Sequence, residues 1–140
     1  MLVPVAAAAS PFVPLEQQTQ MKGILEQFGF QALAYVPTKA PPHYTYLSNV
    51  VSGGSNRITL ANGPNQAYLT VTSLNGKLSA CNKGSQLKLA LGSVTVYSKG
   101  GDVWRCVTAP GGSVVKLDGS GHGLSRADIA TIVVSAKRIS

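Results

Sequence analysis

The sequence predicts an α+β fold: a curved antiparallel β-sheet, built as a meander of hairpins, with an N-terminal helix and a C-terminal helix packed on one face. Turn-forming Gly and Asn residues recur at nearly regular intervals, and the segments between them alternate apolar with polar residues. Regular turns between alternating segments are typical of consecutive hairpins. Alternation with one polar face indicates an antiparallel sheet that contacts water on one side.

The chain length of 140 residues fits one domain. We expect residues 14–140 to form this single α+β domain, and residues 1–13 to be a truncated leader or a flexible arm. The opening stretch has an apolar run followed by small residues, as at the end of a signal peptide, but it lacks the basic start of one. Charged residues make up 12% of the chain, about half the usual share of roughly 25%, which fits short strands joined by polar turns.

The first helix is predicted over residues 14–28, where apolar residues fall mostly at helical spacings. Pro14 suits the first helical turn and Gly29 suits the stop. Residues 30–36 then predict a short strand, and the hairpin count predicts about six to eight strands over residues 30–118. The other alternating or apolar segments are residues 43–47, 57–60, 67–72, 93–97, 103–107 and 113–117.

The second helix is predicted over residues 125–135. Ser125 stands at its N-cap position with Asp128 three residues later, which resembles a capping box. Its apolar stripe is suited to cover the dry face of the sheet and consists of Leu124, Ile129, Ile132 and Val133. The glycine-rich residues 119–123 ahead of the helix are predicted to be a flexible loop, since they match no phosphate-binding pattern.

Cys81 and Cys106 are separated by 25 residues, and each lies inside or beside a predicted strand. We predict that they form a disulfide; two free buried thiols are the alternative. A disulfide persists only in an oxidising compartment. The cysteines therefore favour an extracytoplasmic location, whether periplasmic, cell-surface or secreted.

Twelve Lys and Arg against five Asp and Glu give a net charge of +7. Such a charge permits attraction to an anionic polymer or lipid surface. The basic residues are spread singly rather than in a stripe with aromatics, so we expect no specific nucleic-acid partner. No run approaches the roughly 20 apolar residues that a membrane-spanning helix needs, so no membrane span is expected in this chain.

Catalytic chemistry has few candidate residues. His43 and His122 are the two histidines available as a base, and Ser120 near His122 lacks the G-x-S-x-G pattern of a nucleophile elbow. The histidines are isolated from each other and from the carboxylates, so no metal site and no cofactor are expected. We predict that the chain is not an enzyme; a small hydrolase using His122 or His43 is the last alternative.

Aromatic side chains offer flat apolar area with a polar handle for a ligand. The candidate ligand-binding residues are Tyr44, Tyr46, Trp104 and His122. The competing interpretation is that the aromatic rings pack between the sheet and the helices.

Two stretches resemble a known family. Residues 35–45, YVPTKAPPHYT, are similar to a "P-T-x-L-P-x-G-Y" entry, with Ala40 in place of Leu and His43 in place of Gly. The second stretch runs from Val103-Trp104 through GLSRADI to Ser135 and is similar to a "W…G…Y-x-L…L-S-x-E-E-L…A-x-S" ending. The family is the extracytoplasmic domain of unknown function found at the C-terminus of bacterial anti-sigma-factor-like and sporulation-linked membrane proteins and lipoproteins.

This resemblance implies a domain on the cell exterior that senses or binds, and it carries no catalytic residues to transfer. We therefore expect a non-enzymatic, exported cell-envelope binding or sensor module, with the sheet face or residues 119–123 contacting an unknown envelope ligand or protein. The alternative is a pilin-like or pseudopilin-like structural subunit, because residues 12–16 have the Phe and Glu spacing of a mature pilin start. Residues 17–20 are polar, however, where a pilin has a long apolar helix.

Overall fold

The computed structural model describes residues 11–81, 85–87 and 94–140. Residues 1–10 of the expected leader or arm lie outside the described residues. The elements, in chain order, are α1 (Leu15–Gln27), a 3-10 helix (Gln31–Leu33), β1 (Tyr35–Val36), β2 (Thr45–Ser52), β3 (Ser55–Asn62), β4 (Asn65–Leu74), α2 (Leu78–Cys81), β5 (Ser85–Leu87), β6 (Val96–Lys99), β7 (Asp102–Thr108), β8 (Val114–Gly121), α3 (Arg126–Ser135) and β9 (Lys137–Arg138).

Seven strands form one antiparallel sheet in the order β2-β3-β4-β8-β7-β6-β5. This confirms the predicted α+β class, with an antiparallel sheet and a helix near each end of the chain. The strands do not make one continuous meander. Two meanders, β2-β3-β4 and β5-β6-β7-β8, meet where β4 pairs with β8. Asn75-Gly76, one of the recurring turn-forming pairs of the sequence, does not close a hairpin, because the chain continues into α2 and reaches β5 at the far edge.

The short strands β1 and β9 form a separate pair, with Tyr35 opposite Arg138 and Val36 opposite Lys137. The strand predicted over residues 30–36 is therefore wrong in its first half, which holds the 3-10 helix. The Leu33 N–H donates to the Phe30 carbonyl at 2.9 Å, and the Leu33 side chain is completely buried. Burial of Leu33 in this tight turn overrides the strand propensity of the segment.

The predicted N-terminal helix is confirmed as α1, and Gly29 terminates it. Gly29 has a φ of +76°; its N–H donates to the Glu26 carbonyl at 3.1 Å, and the Phe30 N–H donates to the Leu25 carbonyl at 2.7 Å. These two bonds form a Schellman motif, which needs a left-handed residue and so favours glycine. Val13, just ahead of the helix, is buried in the core.

The predicted C-terminal helix is confirmed as α3, and both of its ends are capped. Ser125 Oγ accepts a hydrogen bond from the Asp128 N–H at 3.2 Å. At the other end, Arg105 of β7 donates from Nε to the Val133 carbonyl at 3.0 Å and from Nη2 to the Ala136 carbonyl at 2.6 Å. Burial lowers the pKa of the Arg105 guanidinium, which nevertheless stays charged and complements the negative end of the helix dipole.

Residues 119–123 are not the flexible loop that the glycines predicted, since β8 continues to Gly121. A Cβ at Gly119 would lie 2.6 Å from Val133 Cγ2 and 2.9 Å from Ile129 Cγ2. At Gly121 it would lie 2.6 Å from Leu124 Cδ1. Gly119 therefore lets helix α3 approach the sheet closely, and Gly121 makes room for Leu124 just ahead of α3. Close approach of another segment is a role that glycine takes within strands.

The hydrophobic core lies between one face of the sheet and the helices α1 and α3. Its largest completely or almost completely buried side chains are Met21, Leu25, Leu33, Ile58, Leu60, Leu69, Leu117 and Ile132. Among the helices of the described residues, none has both the length and the apolar character needed to cross a membrane.

Candidate functional site

The other face of the sheet, which we call the open face, takes its side chains from the polar positions of the alternating strands. On β8, Leu117 and Gly119 are directed toward the helices, whereas Lys116 and Asp118 project to the opposite side because successive strand residues alternate. On β4, Leu69 and Val71 are likewise buried in the core, so Thr70 lies on the open face. The alternation predicted from sequence thus defines one buried face and one partly wet face.

The strand register aligns open-face residues in a row across the sheet. Arg57 of β3 is opposite Thr70 of β4, and Thr70 is opposite Asp118 of β8. Asp118 is opposite Trp104 of β7, which is opposite Tyr97 of β6. The row joins a cation, a hydroxyl, a carboxylate and two aromatic rings from separate parts of the sequence, and the strand pairing brings them together.

 The five residues come from five different strands, so no local sequence motif could have revealed the row.

Two cations of the open face are held against aromatic rings. The guanidinium carbon of Arg57 lies 4.7 Å from the centroid of the Tyr68 ring, and Lys116 Nζ lies 4.9 Å from the centroid of the Trp104 ring. Lys116 Nζ also lies 3.4 Å from Asp118 Oδ2. A cation over an aromatic face is attracted by the ring quadrupole, so both positive charges have a preferred position before any ligand arrives.

Asp118 lies in the middle of this row and is three-quarters buried, with 23% of its side chain exposed. Burial raises the pKa of the Asp118 carboxyl above its ordinary value, and nearby Asp102 also raises it, while Lys116 opposes the increase through its charge and hydrogen bond. Because burial dominates, the charged form of Asp118 is disfavoured relative to a carboxylate in water.

Two hollows of about 340 Å³ each open onto this face. The first, which we call the arginine hollow, is lined by Val50, Ser52, Ser55, Arg57 and Thr70. The second, the lysine hollow, is lined by Leu74, Ala80, Cys81, Lys99, Trp104 and Lys116. Each hollow therefore contains at least one of the cations that are held over a ring.

The predicted disulfide is present in the structure and borders the lysine hollow. It joins Cys81 at the end of α2 to Cys106 on β7, with a Cα–Cα distance of 6.3 Å. The Trp104 indole N–H donates to the Cys81 carbonyl at 3.1 Å, and the Trp104 ring packs against Tyr97 with 6.2 Å between centroids. Trp104 is consequently only 6% exposed, so its ring is not a free surface for stacking.

The four residues proposed from sequence as ligand contacts do not converge. Tyr44 is buried in the core, and Tyr46 packs against the core from the edge strand β2, where its hydroxyl donates to Asn49 Oδ1 at 3.3 Å. Trp104 lies on the open face, and His122 is exposed in the turn after β8. The competing interpretation, that aromatic rings pack internally, describes Tyr44 and Tyr46 better.

Sequence reasoning missed Arg57, Lys116 and Thr70 as members of a common surface. The signal available was the alternation itself: each of the three occupies a polar position between buried neighbours on its strand. Pairing order decides whether such residues share a surface, however, and the pairing of β4 with β8 joins strands that are far apart in sequence.

His43 and His122 are both exposed and lie in two different turns. His43 is exposed in a turn closed by the Tyr44 N–H donating to the Pro41 carbonyl at 3.2 Å, and it has a φ of +69°. Within residues 11–81 and 94–140, no three His, Cys, Asp or Glu side chains are grouped so that they could hold a metal ion.

No protein-family model, curated protein or solved structure matches this chain.

Proposed function

We propose that this chain is a non-enzymatic, exported binding or sensor module of the cell envelope, and that the open face is its contact surface. The observation that carries the proposal is the pair of hollows on that face, each with a cation held over an aromatic ring. Preorganised charges bind a partner at lower entropic cost than mobile ones. The net charge of +7 further favours an anionic partner by long-range attraction.

Export is supported by the disulfide between Cys81 and Cys106, since such bonds are rare in reducing compartments. Trp104 and Tyr97 of the open face are buried, but Arg57, Thr70 and Lys116 are partly or fully exposed, so a partner can reach these three side chains from solvent. Residues 119–123, the other contact surface considered from sequence, are less suitable, because Gly119 faces helix α3 and Gly121 faces Leu124.

The resemblance to the extracytoplasmic domain family gains support from the meeting of its two stretches. Thr38, from the first stretch, donates from Oγ1 to the Ser135 carbonyl at 2.7 Å, and the Lys39 N–H donates to Ser135 Oγ at 3.0 Å. The positive φ of His43 occurs where the family pattern has Gly, the residue that adopts this conformation most readily. Both observations fit the family pattern, so the proposal includes membership of the chain in this extracytoplasmic domain family.

A charge-matched pair of variants tests the proposed surface. Arg57→Ser with Lys116→Ser removes two positive charges from the open face, and Lys137→Ser with Arg138→Ser removes two from the exposed strand β9. We expect disulfide-bonded wild-type protein to sediment with purified bacterial cell walls or with vesicles containing anionic lipid. The open-face pair should lose this binding, and the β9 pair should retain it.

Equal losses in the two pairs would show that net charge alone causes binding and would contradict the open-face assignment. Absence of wild-type binding to both cell walls and anionic vesicles would contradict the anionic-partner proposal. Vesicles of neutral lipid serve as the background measurement in each case.

A structural subunit, as in the pilin-like alternative, is the second candidate. It is favoured by large apolar side chains that stay exposed on α1, α1's C-cap and the edge strand β2, namely Leu15, Ile24, Phe28, Leu47 and Val50. Exposed apolar area of this kind can mark an association surface. Concentration-dependent sedimentation tests it: growth into oligomers or filaments would favour the structural role, and a monomer at all concentrations would contradict it.

A further inference from the structure

The arginine hollow and the lysine hollow are placed so that one extended ligand could contact both. Arg57 lies on β3 and Lys116 on β8, with β4 between them. Two strand spacings across the sheet and two residues along a strand place their Cα positions about 12 Å apart. The Arg57 guanidinium lies over Tyr68 of β4 and Lys116 Nζ lies over Trp104 of β7, so the two charges are also about two strand spacings apart across the sheet. A single small anion cannot contact both charges, whereas a chain that bears several anionic groups can.

The surface between the two cations carries hydroxyl groups. Thr70 is opposite Arg57, and Thr72 lies between Ser55 and Lys116 in the register. Hydroxyls both donate and accept hydrogen bonds, and the Asp118 carboxylate accepts them. The surface therefore offers cations at two points and mixed hydrogen-bonding groups between them, which complements a chain of hydroxyl-bearing units with acidic groups at intervals.

Aromatic stacking contributes little to recognition here. Trp104 and Tyr97 are 6% and 9% exposed, and Arg57 occupies one face of the Tyr68 ring. Proteins that bind single-stranded nucleic acid present rings on which successive bases stack. Buried or occupied rings disfavour nucleic acid and equally disfavour a neutral sugar that depends on stacking.

We propose that the open face binds a linear anionic glycan that lies across the strands and contacts the arginine hollow and the lysine hollow together. This inference rests on the proposed binding role of the open face and narrows its ligand. Linking two weak contacts through one chain makes the second contact intramolecular, which raises the overall affinity above that of either contact alone.

Binding can be measured by the intrinsic tryptophan fluorescence of the protein. Trp104 is the single tryptophan, and it lies under Lys116 in the lysine hollow, so its fluorescence should respond when an anion approaches that cation. The probes are a digalacturonate and an oligogalacturonate about 25 Å long, twice the separation of the two cation positions. A neutral dextran oligomer and a single-stranded oligothymidylate of similar length serve as comparison ligands.

We expect the long oligogalacturonate to bind about a hundredfold more tightly than the digalacturonate, the low end of what linkage of two contacts gives. Arg57→Ser and Lys116→Ser should each reduce the long-chain affinity toward that of the digalacturonate, whereas the matched Lys137→Ser should not. Calorimetric titration checks the Lys116 variant independently of the fluorescence signal.

Equal affinity for the two lengths would overturn the two-hollow arrangement. Tighter binding of oligothymidylate than of oligogalacturonate would overturn the ligand class. If cell walls or anionic vesicles bind through the open face and oligogalacturonate does not, the inference is wrong while the proposed function stands; if none of them binds, both are wrong.

Discussion

The two faces of the same sheet differ in what their residues do, and strand β8 shows the difference within eight residues. Toward the helices, Leu117 is buried and Gly119 leaves room for α3. On the open face, Lys116 lies over Trp104 and beside Asp118. One face is shaped by close packing, whereas the other holds charges near rings and hydroxyls that the fold does not need for its core.

The difference indicates where substitutions should affect stability and where they should affect binding. Close packing penalises any added or removed volume. Partly exposed ion pairs contribute little to stability, typically below about 1 kcal/mol. Changes on the face covered by α1 and α3 should therefore lower the free energy of unfolding more than changes of open-face charges do. The disulfide is the exception, since it gives the open face a covalent contribution to stability.

The largest expected effect is the loss of that disulfide. The double substitution Cys81→Ser with Cys106→Ser should lower the free energy of unfolding by about 3 kcal/mol, because it releases a closed loop of this size in the unfolded chain. Denaturant unfolding followed by Trp104 fluorescence measures it, with reductant-treated wild type as the matched comparison. Alkylation of wild type without reductant, detected as a mass increase, would contradict the bond.

The next effect tests the packing of the helix-covered face. Gly119→Ala should cost about 2 kcal/mol, because the new methyl group overlaps Val133 and Ile129. The matched control is Gly54→Ala, whose Cβ would meet no atom within 4 Å and which should change stability by less than about 0.5 kcal/mol. Equal effects of the two substitutions in thermal unfolding would show that α3 does not approach β8 so closely.

A smaller loss is expected from Arg105→Met, which keeps the aliphatic bulk but removes the two hydrogen bonds to the Val133 and Ala136 carbonyls. Hydrogen bonds to charged groups contribute about 1.5–3 kcal/mol, and we expect a loss near the low end because Arg105 is only half-buried. Arg138→Met on exposed β9 is the control. Hydrogen exchange localised to the end of α3 would confirm the capping role, and unchanged exchange there would contradict it.

The smallest effect concerns Asp118 and the pH. Because burial raises the pKa of Asp118 in the folded protein, folding favours its protonated form, and the carboxylate costs stability at pH values above the raised pKa. The cost disappears as the pH falls through that pKa toward the ordinary value of 3.8. The free energy of unfolding of Asp118→Asn, relative to that of wild type, should therefore be higher at neutral pH than at about pH 4.

Denaturant unfolding of wild type and Asp118→Asn at the two pH values measures this difference. Lys116 and Asp102 are the charged groups that act on Asp118, so Lys116→Met in the same background separates the contribution of the ion pair. A difference between wild type and Asp118→Asn that does not change with pH would contradict the raised pKa.

Local features of the fold were predictable from sequence because their causes are local. The Ser125 cap, the stop at Gly29 and the apolar stripe of α3 each depend on residues within one or two helical turns. The disulfide was also predicted, since the chain contains two cysteines at a spacing that neighbouring strands can bridge.

Features that depend on pairing between distant segments were not predictable. Gly119, one of the glycines that suggested a loop at residues 119–123, is explained by helix α3 lying across β8, which the sequence does not display. The candidate ligand residues Tyr44 and Tyr46 were chosen for their chemistry, but Tyr44, just ahead of β2, is buried in the core, and Tyr46 of β2 packs against it. Arg57 and Lys116 share a surface only because β3, β4 and β8 are neighbours.

The most direct test of the open face as the contact surface is a map of backbone amide chemical shifts during titration with the long oligogalacturonate. We predict that the changes concentrate on the open-face positions of β3, β4 and β8, around Arg57, Thr70 and Lys116. Changes concentrated instead on α3 and the β9 residues Lys137 and Arg138 would contradict this account.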